Sequence, residues 1–205
     1  MKTMSAVAVI LLLATSVGRA AEDLMKGKIR TGRSISLETV VSGTPDVVYR
    51  LWLSEGSVQS FFAPKSHIDA RVGGEYNMIF WPEKYPQGEN FGTKGARILR
   101  LDPGRAIWFE WKCFVLEDKE ARSSPPPVSL EEYVERPLPT WVEVAFEPVK
   151  EGKTRVRLSH QGFQTGGKWD EAFVYFSRAW ATVITRLSSV AQKRESPPND
   201  FGTNP

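Results

Sequence analysis

Residues 169–192 constrain this chain more than any other stretch. Trp169, Phe173, Phe176, Trp180, Val183, Ile184, Leu187 and Val190 recur at spacings of three and four, the signature of one helical face. Asp170, Glu171, Ser177, Arg178, Thr185, Arg186 and Lys193 occupy the other side. Gly166 and Gly167 precede the run, and Pro197 and Pro198 forbid its continuation. Four large aromatic rings lie on the stripe, so the helix needs a broad apolar partner. Upstream segments read as β-strands, and a sheet is the surface that can cover it.

The chain begins with Met1-Lys2, an apolar run over 4–14, and small residues Gly18 and Ala20. This is the order of an export signal, with cleavage expected between Ala20 and Ala21. The run is too short to span a bilayer, which takes roughly 20 residues. The expectation is a periplasmic or secreted protein with no stable membrane span after cleavage. Removing residues 1–20 takes away Lys2 and Arg19, leaving 25 basic against 24 acidic residues. With so little net charge and no basic cluster, nothing points to nucleic acid. The lone cysteine, Cys113, excludes an internal disulfide.

Residues 21–34 read as a flexible lead-in, 35–193 as one domain and 194–205 as a disordered tail. Ile35, Leu37, Thr39 and Val41 alternate as a first strand. Thr44-Pro45-Asp46 opens a short helix, with Thr as N-cap and Pro at the first helical position. A second short helix is expected over 55–62. Strands follow over 67–72, 75–81, 93–101, 106–114, 141–148 and 154–161, with Gly73-Gly74 and Asp102-Pro103-Gly104 as turns. Residues 117–138, with Pro125, Pro126 and Pro127, interrupt this pattern as an insertion loop. The sum is α+β: an antiparallel sheet, two short helices after the first strand, and a long C-terminal helix.

The local motifs carry a resemblance. They are Thr44-Pro45 through Trp52, Gly73-Gly74-Glu75-Tyr76, Leu101-Asp102-Pro103 leading into Ile107-Trp108-Phe109-Glu110-Trp111, and Thr154 to Gly162. Gly167-Lys168-Trp169 and Tyr175-Phe176-Ser177-Arg178-Ala179-Trp180 complete the set. In this order they resemble the helix-grip superfamily of START-like domains, in the branch named for the activator of the 90-kDa heat-shock protein ATPase. The resemblance covers about 35–192. It implies a curved sheet gripping the C-terminal helix, with an apolar cavity between them. An export signal separates this chain from the cytosolic chaperone behind the branch name, and the 117–138 insertion lengthens a connection that is short in typical members.

The rings that point between sheet and helix suit a filled core and a cavity wall alike. On the cavity reading the ligand-binding residues are Trp169, Phe173, Phe176 and Trp180 on one wall and Phe109 and Trp111 on the other. His160 shares a strand face with Val156 and Leu158, which makes it a polar anchor, an acid/base group, or a hydrogen-bonded core histidine. His67 is expected to be exposed. No spacing matches a zinc or iron signature, no G-x-S-x-G occurs, and the glycine pairs do not open onto helices as phosphate loops do. No metal, cofactor or catalytic residue is therefore assigned. Glu110 and Glu143 are expected on the solvent face, paired with Arg97, Arg155 and Arg157. The expected function is binding of a small hydrophobic molecule. The alternatives are a cyclase- or hydrolase-like enzyme using His160 and a protein-binding module whose partner the sequence does not name.

Overall fold

A computed structural model of the chain describes residues 33–89, 92–111, 140–166 and 168–195. The export segment with Ala20 and Ala21, Cys113, the 117–138 insertion and the tail after 195 lie outside the described residues.

Strand β1 (Arg33–Ser42) is followed by helices α1 (Pro45–Leu53) and α2 (Glu55–Val58). Strands β2 (Lys65–Ile68), β3 (Tyr76–Ile79), β4 (Ile98–Asp102), β5 (Ala106–Trp111), β6 (Thr140–Pro148) and β7 (Lys153–Phe163) come next, and α3 (Lys168–Glu195) closes the fold. The α+β class, the order of elements and the long terminal helix agree with the reading of the sequence. Its 28 residues make α3 about 42 Å long.

Five strands form one antiparallel sheet in the order β1-β7-β6-β5-β4. The first strand therefore lies beside the last, because the β4-to-β7 meander leaves β7 open for pairing. Strands β2 and β3 form a separate two-stranded sheet. The sequence had suggested longer strands over 67–72, 75–81 and 93–101, and the structure shortens all three. Between them the backbone turns at Gly73 and Gly95, and Tyr76 N donates to Ala96 O at 2.8 Å while Ile98 N donates to Gly74 O at 2.8 Å. These bonds and a bridge between Glu75 and Arg97 tie the small hairpin to the β4 edge.

Thr44 holds the N-cap position of α1 without a side-chain capping bond, so Pro45 and the first-turn acid Asp46 mark the start instead. Helix α2 ends at Val58 rather than Phe62. Phe61 and Phe62 sit in the tight turn that follows, where Phe62 N donates to Val58 O at 2.8 Å. That turn, not a helix face, drives both rings into the core.

Register sorts the sheet into two faces. Val142 pairs with His160, Val144 with Leu158 and Phe146 with Val156, so the inner face of β6 and β7 is an apolar field with three buried polar residues, Thr140, Thr154 and His160, towards its ends. Helix α3 buries Ala172, Phe176, Trp180, Val183, Ile184, Leu187 and Ala191 against it. Arg33 pins the start of the helix, bonding to Asp170 and lying 4.6 Å over the Phe173 ring. Thr39 bonds to Ser188 at 3.0 Å further along. The helix thus runs chiefly along β1.

The outer face carries a charge ladder. Arg157 bonds to Glu38 at 2.9 Å and Glu147 at 2.6 Å, and Arg155 reaches Glu38 at 2.9 Å. The Arg157 guanidinium holds the Glu38 carboxyl below its usual range. Arg155 and Arg157 are thus engaged with Glu38 and Glu147, not with Glu143 as the alternation suggested. Glu143 is half-buried beside Trp108, and burial raises its pKa.

Near the end of β7 the chain requires glycine. Gly162 has φ +98°, and a Cβ there would lie 3.0 Å from Trp141 Cζ3 and 3.2 Å from the Thr140 Cα. Trp141 is buried on the outer face. Gly162→Ala is expected to lose about 1–3 kcal/mol, read as a lower urea midpoint at unchanged slope. A variant as stable as the parent would show that β6 yields at Thr140.

Candidate functional site

The site is assembled from the turn after α2, the end of β5 and the middle of α3. Phe62 stacks on Trp111 at 5.6 Å with 9° between ring planes, and Trp180 lies 4.8 Å from Trp111 and 5.3 Å from Phe62. Phe80 closes one side, 6.0 Å from Phe62. Edge and offset contacts of this kind hold rings in place without filling the space beside them.

A cleft of about 250 Å³ opens beside this cluster. Phe62, Phe80 and Trp111 form its wall on the sheet side, and Phe176, Trp180 and Val183 form its floor on the helix. Tyr175, Ala179, Thr182 and Arg186 form the rim. These four recur along the next helical row, so the same periodicity that buries α3 also builds the mouth. The volume falls just under the range of drug-sized pockets, roughly 300–1,000 Å³. Burial raises the pKa of Tyr175, leaving it a phenol with a hydroxyl to donate. The Thr182 hydroxyl donates to Arg178 O at 3.1 Å.

His160 stands behind this cleft, not in it. Its side chain is fully buried, and the indole Nε1–H of Trp180 donates to its Nδ1 at 2.9 Å. An indole nitrogen only donates, so Nδ1 carries no proton and Nε2 does. His160 Nε2–H then meets Thr140 Oγ1 at 2.9 Å, and Thr140 Oγ1–H donates to Trp111 O at 2.7 Å. The chain of donors runs one way, from the helix through the imidazole to the end of β5. Phe163 and Phe176 enclose the ring at 4.5 and 5.3 Å. Burial holds the imidazole well below its ordinary value of 6.5. A neutral histidine with both nitrogens occupied ties α3 to the sheet and has no free site for a substrate proton.

Of the residues proposed from sequence, Trp111, Phe176 and Trp180 meet at the cleft. Trp169 and Phe173 lie at the start of α3 and pack on Phe163 at 6.1 and 5.5 Å. Phe109 is buried under Tyr76, with ring centroids 4.3 Å apart. His67 is exposed and lies 3.2 Å from Glu55. Sequence reasoning missed Phe62, Phe80, Tyr175, Thr182 and Arg186. The spacing of Tyr175, Ala179, Thr182 and Arg186 was visible, but nothing in the chain says that one flank of a helix is left open. Among the described residues no group of three or more His, Cys, Asp or Glu is placed to hold a metal ion. No described helix is long and apolar enough to cross a membrane.

The fold recurs in solved structures. A Mesorhizobium loti protein aligns with a TM-score of 0.57 at 15% identity, over 80% of this chain and 100% of its own. The Aha1 dimer from Colwellia psychrerythraea gives 0.56 at 13%, over 80% and 99%. An HSP90 activator from Plasmodium falciparum gives 0.52 at 16%, over 78% and 96%. Identities this low speak for the fold alone. No curated relative matches the sequence. Residues 42–192 match the family model described as activator of Hsp90 ATPase homolog 1-like protein, and the chain belongs to that family.

Proposed function

We propose that this protein binds a small apolar molecule in the cleft between α3 and the Phe62–Trp111 stack, and leaves it chemically unchanged. The observation that carries the reading is the cleft itself: aromatic rings on both walls, already held by one another, with open space beside them. Preformed apolar pockets with a few polar groups at the mouth are the usual form of a small-molecule site. His160, the group on which an acid/base mechanism would depend, has its nitrogens bonded to Trp180 and Thr140. Trp111, Phe176 and Trp180 are the contact residues of this proposal, joined by Phe62 and Phe80.

A protein partner is supported less well. The large exposed hydrophobics among the described residues, Val40, Val47, Val72 and Val174, lie on four different segments, whereas a docking patch is contiguous. We further propose, from residues 1–20, that the mature protein works outside the cytoplasm.

Native mass spectrometry of protein purified from its own host tests the reading. A stoichiometric small molecule, released on denaturation, is expected. An empty protein that also takes up no environment-sensitive hydrophobic dye would overturn it.

A further inference from the structure

We infer that the ligand is a compact aromatic monoanion whose carboxylate is held by Arg186. This rests on the binding reading above and adds the chemical class. Among the described residues Arg186 is the single charged side chain lining the cleft, and it sits at the mouth. It is exposed, and no carboxylate among the described residues pairs with it. Its own helix supplies no competitor, since residues 182–190 contain no Asp or Glu. Arg33, Arg50, Arg71, Arg155 and Arg157 each face a carboxylate; of the described arginines that do not, Arg186 is the one that lines the cleft. A guanidinium left unpaired at the rim of an apolar cleft matches a carboxylate in charge and geometry.

The body of the ligand follows from the walls. Phe62 and Trp111 lie nearly parallel, with Trp180 tilted across them at 52° and 55°. These surfaces favour a planar ring inserted edge-on or offset. A cleft of about 250 Å³ has room for two fused rings bearing a small substituent. Such a molecule would place its ring beside Trp111 and Trp180 and its carboxylate at Arg186, with the Tyr175 hydroxyl on the same rim.

Isothermal titration of the full chain with 2-naphthoate and with its neutral counterpart 2-naphthylmethanol tests this. The acid is expected to bind about two- to fivefold more tightly, with that advantage shrinking in high salt. Arg186→Gln should erase the difference by weakening the acid alone. Arg178→Gln, on the same helix but outside the cleft, should preserve it. Equal binding of acid and alcohol to the parent protein would overturn the role of Arg186 while leaving the apolar site standing. Octanoate binding more tightly than naphthoate would overturn the aromatic body. If neither naphthalene probe binds, the inference falls, while the binding function stands or falls by the native mass spectrometry and dye uptake above.

Discussion

Trp180→Ala is expected to remove about 3–5 kcal/mol of stability, the largest loss of any single substitution considered. The ring is 1% exposed and touches Phe62, Trp111 and His160. Truncation leaves a void in the grip and strips the donor from His160 Nδ1. Trp180→Phe separates the two effects: it keeps an aromatic ring and loses the hydrogen bond, at about 1–3 kcal/mol. Urea unfolding of the three proteins measures both. An alanine variant within about 1 kcal/mol of the parent would mean that the indole borders open space and anchors nothing.

The second expected result is a fall in stability with acid that belongs to His160. The folded state holds the imidazole neutral and well below 6.5, whereas the unfolded chain takes up its proton near 6.5. Below that pH the unfolded state binds more protons, so stability falls as pH drops and is fully present above it. The loss is about 1.4 kcal/mol at pH 5.5 relative to pH 7.5, and about as much again per further unit until the folded pKa is reached. His160→Gln offers an acceptor to Trp180 and a donor to Thr140 but does not titrate. It should cost about 1–2 kcal/mol at pH 7.5 and flatten the acid slope. Melting temperatures measured from pH 7.5 to 5.0 decide the matter. Parallel curves for parent and variant would place the acid sensitivity elsewhere.

These two results concern one junction, and its parts were unequally legible. That His160 faces inward was readable from the alternation of Val156, Leu158 and His160, because a strand's period of two leaves no freedom once one face is apolar. Its partners were not readable. Thr140 lies on β6 and Trp180 on α3, each 20 residues away, and no local pattern announces a bond between them. The tautomer follows only from the three groups together.

The cleft shows the same division. Trp111, Phe176 and Trp180 could be chosen from sequence because large rings at helical and strand spacing must turn inward. Trp169, Phe173 and Phe109 satisfy the same pattern yet lie away from the cleft, since a stripe says which side of a helix is apolar and nothing about where along it the opposing wall ends. The pattern of the sequence puts Phe62 on a helix that in the structure stops at Val58, and puts Arg186 on the wet face. Both line the cleft because the turn after α2 and the middle of α3 meet at the end of β5.

The sequence by itself determined the class of fold, the order of its elements, the face of each strand and the helix that covers them. Period and punctuation act within a few residues, and they are strong here. Tertiary structure alone decided that the sheet splits into five strands and two, that Arg155 and Arg157 take Glu38 and Glu147, and that His160 is locked between Trp180 and Thr140. It also decided that a gap remains beside the Phe62–Trp111 stack. Packing angles and long-range register set these features, and both depend on groups far apart in the chain.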